Sequence, residues 1–185
     1  MEILRHIPRR KLALRTALGL VCLLTLAVPL CRAADAPLEY QVKAAFLLNF
    51  AKFIEWPVSA FASKDSAFAI CILGDDPFAG ALEQTVEEES IGGRRIAIRR
   101  IRRAPDPQAC QIVYVGKAEK NFSAAEFGFG VLTVGERDGF LARGGIIAFV
   151  IEERKVRFDI SSSAAARASL KPSSKLLRVA RVIEK

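Results

Sequence analysis

The side chains able to do chemistry are few and thinly spread. The one histidine, His6, sits in a basic and apolar N-terminal leader, together with Cys22 and Cys31. Beyond that leader no imidazole remains. Neither a Ser-His nor a Cys-His nucleophile pair can then be assembled, nor any His-ligated metal site. Ser161, Ser162 and Ser163 have no partner base, so helix capping is their better reading. Asp75 and Asp76 close an apolar run at the kind of strand end where α/β sheets place ligands. Adjacent acids there could hold Mg²⁺, but an Asp-Pro helix start explains them more simply. Gly92-Gly93 and Gly144-Gly145 are turn signals without the spacing of a phosphate loop. Nothing gathers an acid, a base and a nucleophile. The sequence therefore nominates no catalytic, cofactor-binding or metal-ligating residue and implies no cofactor, and an enzyme is the least supported class.

The leader decides how the rest is read. Arg5, Arg9, Arg10, Lys11 and Arg15 precede "TALGLVCLLTLAVPL" and "CRAADA". A basic end, an apolar run of about 15 residues and small residues at a cleavage point describe a secretory signal peptide, cut after Ala33. The run is short for a membrane span of roughly 20 residues. Leu30 and Pro29 make "VPLC" a poor lipoprotein signal. Six of the 28 basic residues and one of the 20 acidic residues lie in residues 1–33, leaving 22 against 19, a formal charge of +3. The headline +8 is mostly export signal and argues for no nucleic-acid partner. The expected organisation is a cleaved signal peptide, 1–33, and one domain, 34–185, that is periplasmic and not membrane-embedded.

Cys71 and Cys110 are the two cysteines left. In an oxidising compartment such a pair is most often joined, the alternative being two buried thiols. Their separation suits neither zinc nor a redox Cys-x-x-Cys.

The elements that carry these residues alternate. Leu38 to Trp56 reads as a long helix stopped by Pro57. "FAICILG", "CQIVYVG" and "GVLTVGE" are short continuous apolar runs, as doubly covered strands should be. "DDPFAGALEQTV" reads as a helix, "RRIAIRRI" as a strand, and "GGIIAFVIEERKVRFDIS" as a hairpin around "EERK". "SSSAAARASL" and "SSKLLRVARVI" read as two short helices separated by Lys171-Pro172. The expected fold is a single α/β domain: a mostly parallel central sheet, helices on both faces and a C-terminal antiparallel hairpin.

Two surfaces stand out. On the first helix, Leu38, Val42, Ala45, Phe46, Asn49, Phe53 and Trp56 share one stripe, with Phe46, Phe53 and Trp56 expected in the core. Asn49, in its middle, is expected to be a buried polar tie to a neighbouring loop, or else a contact inside a ligand or partner pocket. "RRIAIRRIRR" places Arg94, Arg95, Arg99, Arg100, Arg102 and Arg103 in ten positions. That is either an edge strand defended by charge or a surface for an acidic partner or anionic ligand.

"EYQVKAAFLLNFAKFIEWP", "ICILGDDPF", "GRRIAIRRI", "CQIVYVG", "GGIIAFVIEERKVRFDIS" and "SSKLLRVARVI" together resemble the YfiR family of periplasmic regulators, in the right order over nearly all of the mature chain. The resemblance implies an α/β periplasmic domain, often a homodimer. Such a protein holds an inner-membrane diguanylate cyclase inactive through the cyclase's periplasmic sensor domain, lowering cyclic di-GMP signalling and biofilm formation. An outer-membrane lipoprotein can sequester it. The resemblance also implies a Cys71–Cys110 disulfide. A second cysteine pair that some members carry near the hairpin is missing here. "FDISSS" lacks the asparagine expected after the strand, which leaves the cap to Ser161. Charge and position nominate Arg99, Arg100, Arg102 and Arg103, with Arg167, Lys171 and Arg178, as partner-binding residues. The leading reading is a regulatory binding protein, and the second is a periplasmic small-molecule-binding protein.

Overall fold

The computed structural model describes residues 37–105, 108–120 and 122–185, and the expected signal peptide lies outside the described residues. Helix α1 (Leu38–Phe53) leads into β1 (Ile54–Glu55), β2 (Phe68–Leu73), α2 (Ala81–Val86), β3 (Ser90–Ile91), β4 (Arg94–Ile101), β5 (Ile112–Val115) and β6 (Leu132–Gly135). The chain ends with β7 (Ile147–Glu152), β8 (Lys155–Ser161), α3 (Ser162–Arg167), β9 (Lys171–Pro172), α4 (Ser174–Val179) and β10 (Val182–Glu184). Eight strands form one sheet in the order β10-β8-β7-β6-β5-β2-β4-β3. Only the β7–β8 hairpin and the β3–β4 pair are antiparallel in it. The mostly parallel α/β domain expected from the sequence is therefore present. Every residue of β2, β5 and β6 is buried, which is why these strands read as unbroken apolar runs.

The sheet separates two cores. On one side, all four α-helices bury residues such as Leu47, Phe50, Leu82, Ala165 and Leu176 against Phe68, Ile70, Tyr114, Phe149 and Phe158. On the other, Cys71, Val113, Val115 and Ala148 are closed by Cys110, Phe122, Phe127, Phe140 and Leu141 from loops. The α-helices thus stand on one face, and the helical turns on the second are the 3₁₀ turns Ala124–Glu126 and Leu141–Arg143.

Several local expectations shift. Helix α1 ends at Phe53, because Ile54 and Glu55 pair with Pro172 and Lys171 as a short antiparallel bridge. Helix α2 begins at Ala81, since Asp76 caps a turn, accepting the Phe78 N–H at 2.8 Å. The closing segment is half helix and half strand. After Val179 the backbone turns extended and β10 runs parallel to β8, outside the hairpin. Strand β4 is covered by β3 only at Arg94 and Arg95, so Ile96–Ile101, paired with β2 on one side, form the outer edge of the sheet there. Ser161 does take the cap, accepting the Ala164 N–H at 3.3 Å.

Candidate functional site

The inward arc of α1 is Lys43, Ala44, Leu47, Leu48, Phe50 and Ala51. This rotates the helix away from the expected stripe. Phe46 is only half-buried, touching the Phe50, Phe149 and Phe158 rings at centroid distances of 5.9, 6.0 and 5.6 Å. Trp56 is half-buried against Phe68 at 4.9 Å. Leu38, Val42, Ala45, Asn49 and Phe53 face outward. Asn49 is exposed, so it is not the buried polar tie expected from the sequence. A buried carboxamide tie does exist, and it is Gln111. Its Oε1 accepts the Ala69 N–H at 2.8 Å, and its Nε2 donates to the Ala60 carbonyl at 2.6 Å. It thereby joins β2 to the turn that follows β1.

Lys43 carries the polar centre of the interior. Its ammonium pairs with Glu136, just beyond the C-terminal end of β6, and with Glu39 one turn earlier at 2.5 Å. It also lies 4.4 Å from the centre of the Tyr40 ring. The Tyr40 hydroxyl donates to Glu136 Oε1 at 3.0 Å, and the Tyr114 hydroxyl, from β5, donates to the same oxygen. Burial, then the Glu136 charge, pushes the Tyr40 phenol up to about 12. Burial and the hydrogen bond to Glu136 push Tyr114 up as well. Burial alone would raise Glu136, but hydrogen bonds from Lys43 and Tyr114 and the Lys43 charge outweigh it and hold the carboxyl below its ordinary value. The result is an ionised acid, a paired ammonium and two phenols kept as donors. Tyr114 and Lys43 are fully buried, so the cluster clamps α1 to the sheet. The sequence held one signal for it: Glu39 and Lys43 at i, i+4 on an otherwise apolar helix.

Cys71 and Cys110 are joined by a disulfide, and both are buried. The nominated cations fall into two groups. Arg99, on β4, donates to the Ala109 carbonyl at 2.9 Å. Arg100 turns to the opposite face of the strand, held by Asp76 and Glu83, both at 2.6 Å. Arg102 and Arg103 stand exposed just after the strand and, with Arg99, border a depression floored by Ile101, Pro105 and Ala109. Arg167, Lys171 and Arg178 are exposed on α3, β9 and α4. Helix α3 packs beside β10, and five strands separate β10 from β4, so the two groups do not converge. Asp76 is committed to its turn and to Arg100. Among the described residues no group of three or more His, Cys, Asp or Glu is arranged to hold a metal ion. No helix among them is long and apolar enough to cross a membrane.

A mostly parallel α/β domain whose first helix is tied to the sheet by a polar cluster is the class these observations define. The chain belongs to the YfiR/HmsC-like family, whose profile matches residues 40–181. That family is one of periplasmic regulators of diguanylate cyclase signalling rather than of catalysts. No curated protein matches the chain.

Proposed function

We propose that this chain is exported and represses an inner-membrane diguanylate cyclase by binding its periplasmic sensor domain. The family match over residues 40–181 carries this reading. The leader of residues 1–33, with its basic end and short apolar run, supports export. Repression requires that the chain bind the cyclase's inactive state more tightly than its active state, because equal affinity shifts no equilibrium. The proposed contacts are Arg99, Arg102 and Arg103 on one side and Arg167, Lys171 and Arg178 on the other. Arg100 is less available, since it already bridges Asp76 and Glu83. An outer-membrane lipoprotein that occupied either group would relieve repression. Affinity capture of the mature protein from solubilised envelope tests the reading. A membrane protein with a cyclase domain should be retained, and its absence from repeated captures counts against the proposal.

A further inference from the structure

Strand β4 runs from Arg94 to Ile101, yet β3 pairs with it only through Ser90 and Ile91, opposite Arg95 and Arg94. Beyond Arg95 its outer side pairs with no other strand among the described residues, a length of about 20 Å. The Gly74 N–H donates to the Ile101 carbonyl at 3.2 Å, on the β2 side. Peptide groups alternate in direction along a strand, so those of Ala97 and Arg99 also face β2, while those of Ile98 and Arg100 point outward.

This open edge lies between two depressions of opposite character. On the helix face Ile96, Ile98 and Arg100 border one of about 530 Å³, with Glu83, Val86 and Glu87 from α2 and its end. There Arg100 is already paired with Asp76 and Glu83. On the other face Arg99 and Ile101 border one of about 420 Å³, with Arg102, Arg103 and Pro105. Arg95 projects to the same face as Arg99 and is exposed. None of Arg95, Arg99, Arg102 and Arg103 forms an ion pair with a described residue.

We propose that the outer edge of β4 takes an extended segment of a partner protein as an added strand, with acidic side chains on the arginine face and apolar ones on the helix face. Backbone and charge point to the same occupant. An extended peptide matches the outward N–H and C=O groups of Ile98 and Arg100, and its alternate side chains fall into the two depressions. Carboxylates on one face meet the guanidinium groups of Arg95 and Arg99. Acids on the other would meet Glu83 and Glu87, so that face asks for apolar residues. A lipid headgroup or a nucleic acid would engage the arginines but leave the outward peptide groups unmatched. Charge also serves to keep an edge solitary, yet here Ile96, Ala97 and Ile98 lie half-buried between the arginines. This contact deepens the proposed one at Arg99, Arg102 and Arg103, and rests on that part of the reading, whichever protein supplies the segment.

The probe is a synthetic peptide, acetyl-Thr-Glu-Val-Glu-Val-Glu-Val-Thr-amide, added in excess to the mature chain with its disulfide intact. Amide hydrogen exchange reads the edge residue by residue. In the free protein the Ile98 and Arg100 amides should exchange freely, while those of Ala97 and Arg99 are protected. The peptide should slow Ile98 and Arg100 by roughly tenfold or more. A peptide of the same composition with its acids grouped at one end should not. Methylating the backbone nitrogens of the glutamates, or of the valines, blocks opposite edges of the peptide strand. Only one of these two analogues should therefore still protect. Arg99→Glu should weaken protection by the parent peptide and leave the melting temperature unchanged. No slowing by the parent peptide, equal slowing by the grouped one, or protection by both methylated analogues overturns the strand-edge contact. If the peptide fails while cyclic di-GMP still rises in a deletion strain, the contact falls and repression stands. If the peptide protects and the second messenger stays level, the contact stands and repression falls.

Discussion

Replacing Glu136 by glutamine removes one charge from the interior and keeps its shape. The carboxylate is nearly buried, with 7 % of its side chain exposed, and is the more buried of the two that pair with the Lys43 ammonium among the described residues. Removing one member of a buried pair costs about 3–5 kcal/mol, because the other charge is left uncompensated. Two features keep this case at the low end. Lys43 retains Glu39, whose side chain is 42 % exposed, and the glutamine carbonyl can still accept from Tyr114. A loss of about 3 kcal/mol is expected at neutral pH. For a domain of this size that lowers the melting temperature by roughly 6–12 °C. The pH dependence adds a sign. Glu136 has its folded-state pKa depressed below 4.5, so its contribution is complete above the unfolded value and is lost as pH falls through the folded one. Glutamine has no such acid limb. Urea or thermal unfolding followed by circular dichroism should therefore show a large gap between wild type and Glu136→Gln near neutrality, narrowing as the pH drops below about 4.5. A gap under about 1 kcal/mol at neutrality, the scale of a surface pair, or one that widens in acid, refutes the clamp.

Four further substitutions can be checked by the same unfolding measurements. Phe50→Ala should cost about 3–5 kcal/mol, as large core truncations do. Phe53→Ala should cost under about 1 kcal/mol in the isolated monomer, as surface changes do, and equal costs would mean that α1 is rotated otherwise. Cys110→Ser opens a loop with a sequence separation of 39, worth about 4 kcal/mol in the chain-entropy model. Non-reducing peptide mapping should find the two linked peptides, and free thiols in oxidised protein would contradict the bond. Gly135→Ala places a methyl 2.5 Å from the Phe140 ring, which stacks on Phe122 at 4.4 Å. Overpacking of this kind costs about 1–3 kcal/mol, and an unchanged melting temperature would mean that the ring has room to move.

The strands were the most legible part of the sequence. β2, β5 and β6 are covered on both faces, and their unbroken apolar runs are a direct imprint of that burial. The hairpin was equally plain, with Glu152 pairing Lys155 across the Glu153-Arg154 turn. Helix α1 was legible as a helix but not in its rotation. Residues apolar on nearly every side give periodicity nothing to choose between, and what fixes the inward arc is Lys43 reaching Glu136 across 93 positions of chain. Asn49 was read as the buried amide because a polar group inside an apolar stripe ordinarily needs a partner. The stripe instead faces out, and the buried amide is Gln111. Val182 and Ile183 looked helical because "KLLRVARVI" has helical spacing, yet pairing with β8 overrides that local preference. The nominated arginines were found by charge and position, and neither tells which of them, like Arg100, already has partners within the chain.

The measurement closest to the central claim is the cellular level of cyclic di-GMP in a strain lacking the gene. Deletion should raise the second messenger and promote attachment to surfaces. Expression of the chain with its leader should return both to the parental level, whereas expression of residues 34–185 in the cytoplasm should not. An unchanged level in the deletion strain, with the candidate cyclase present and active, or full rescue from the cytoplasm, would contradict repression from the periplasmic side.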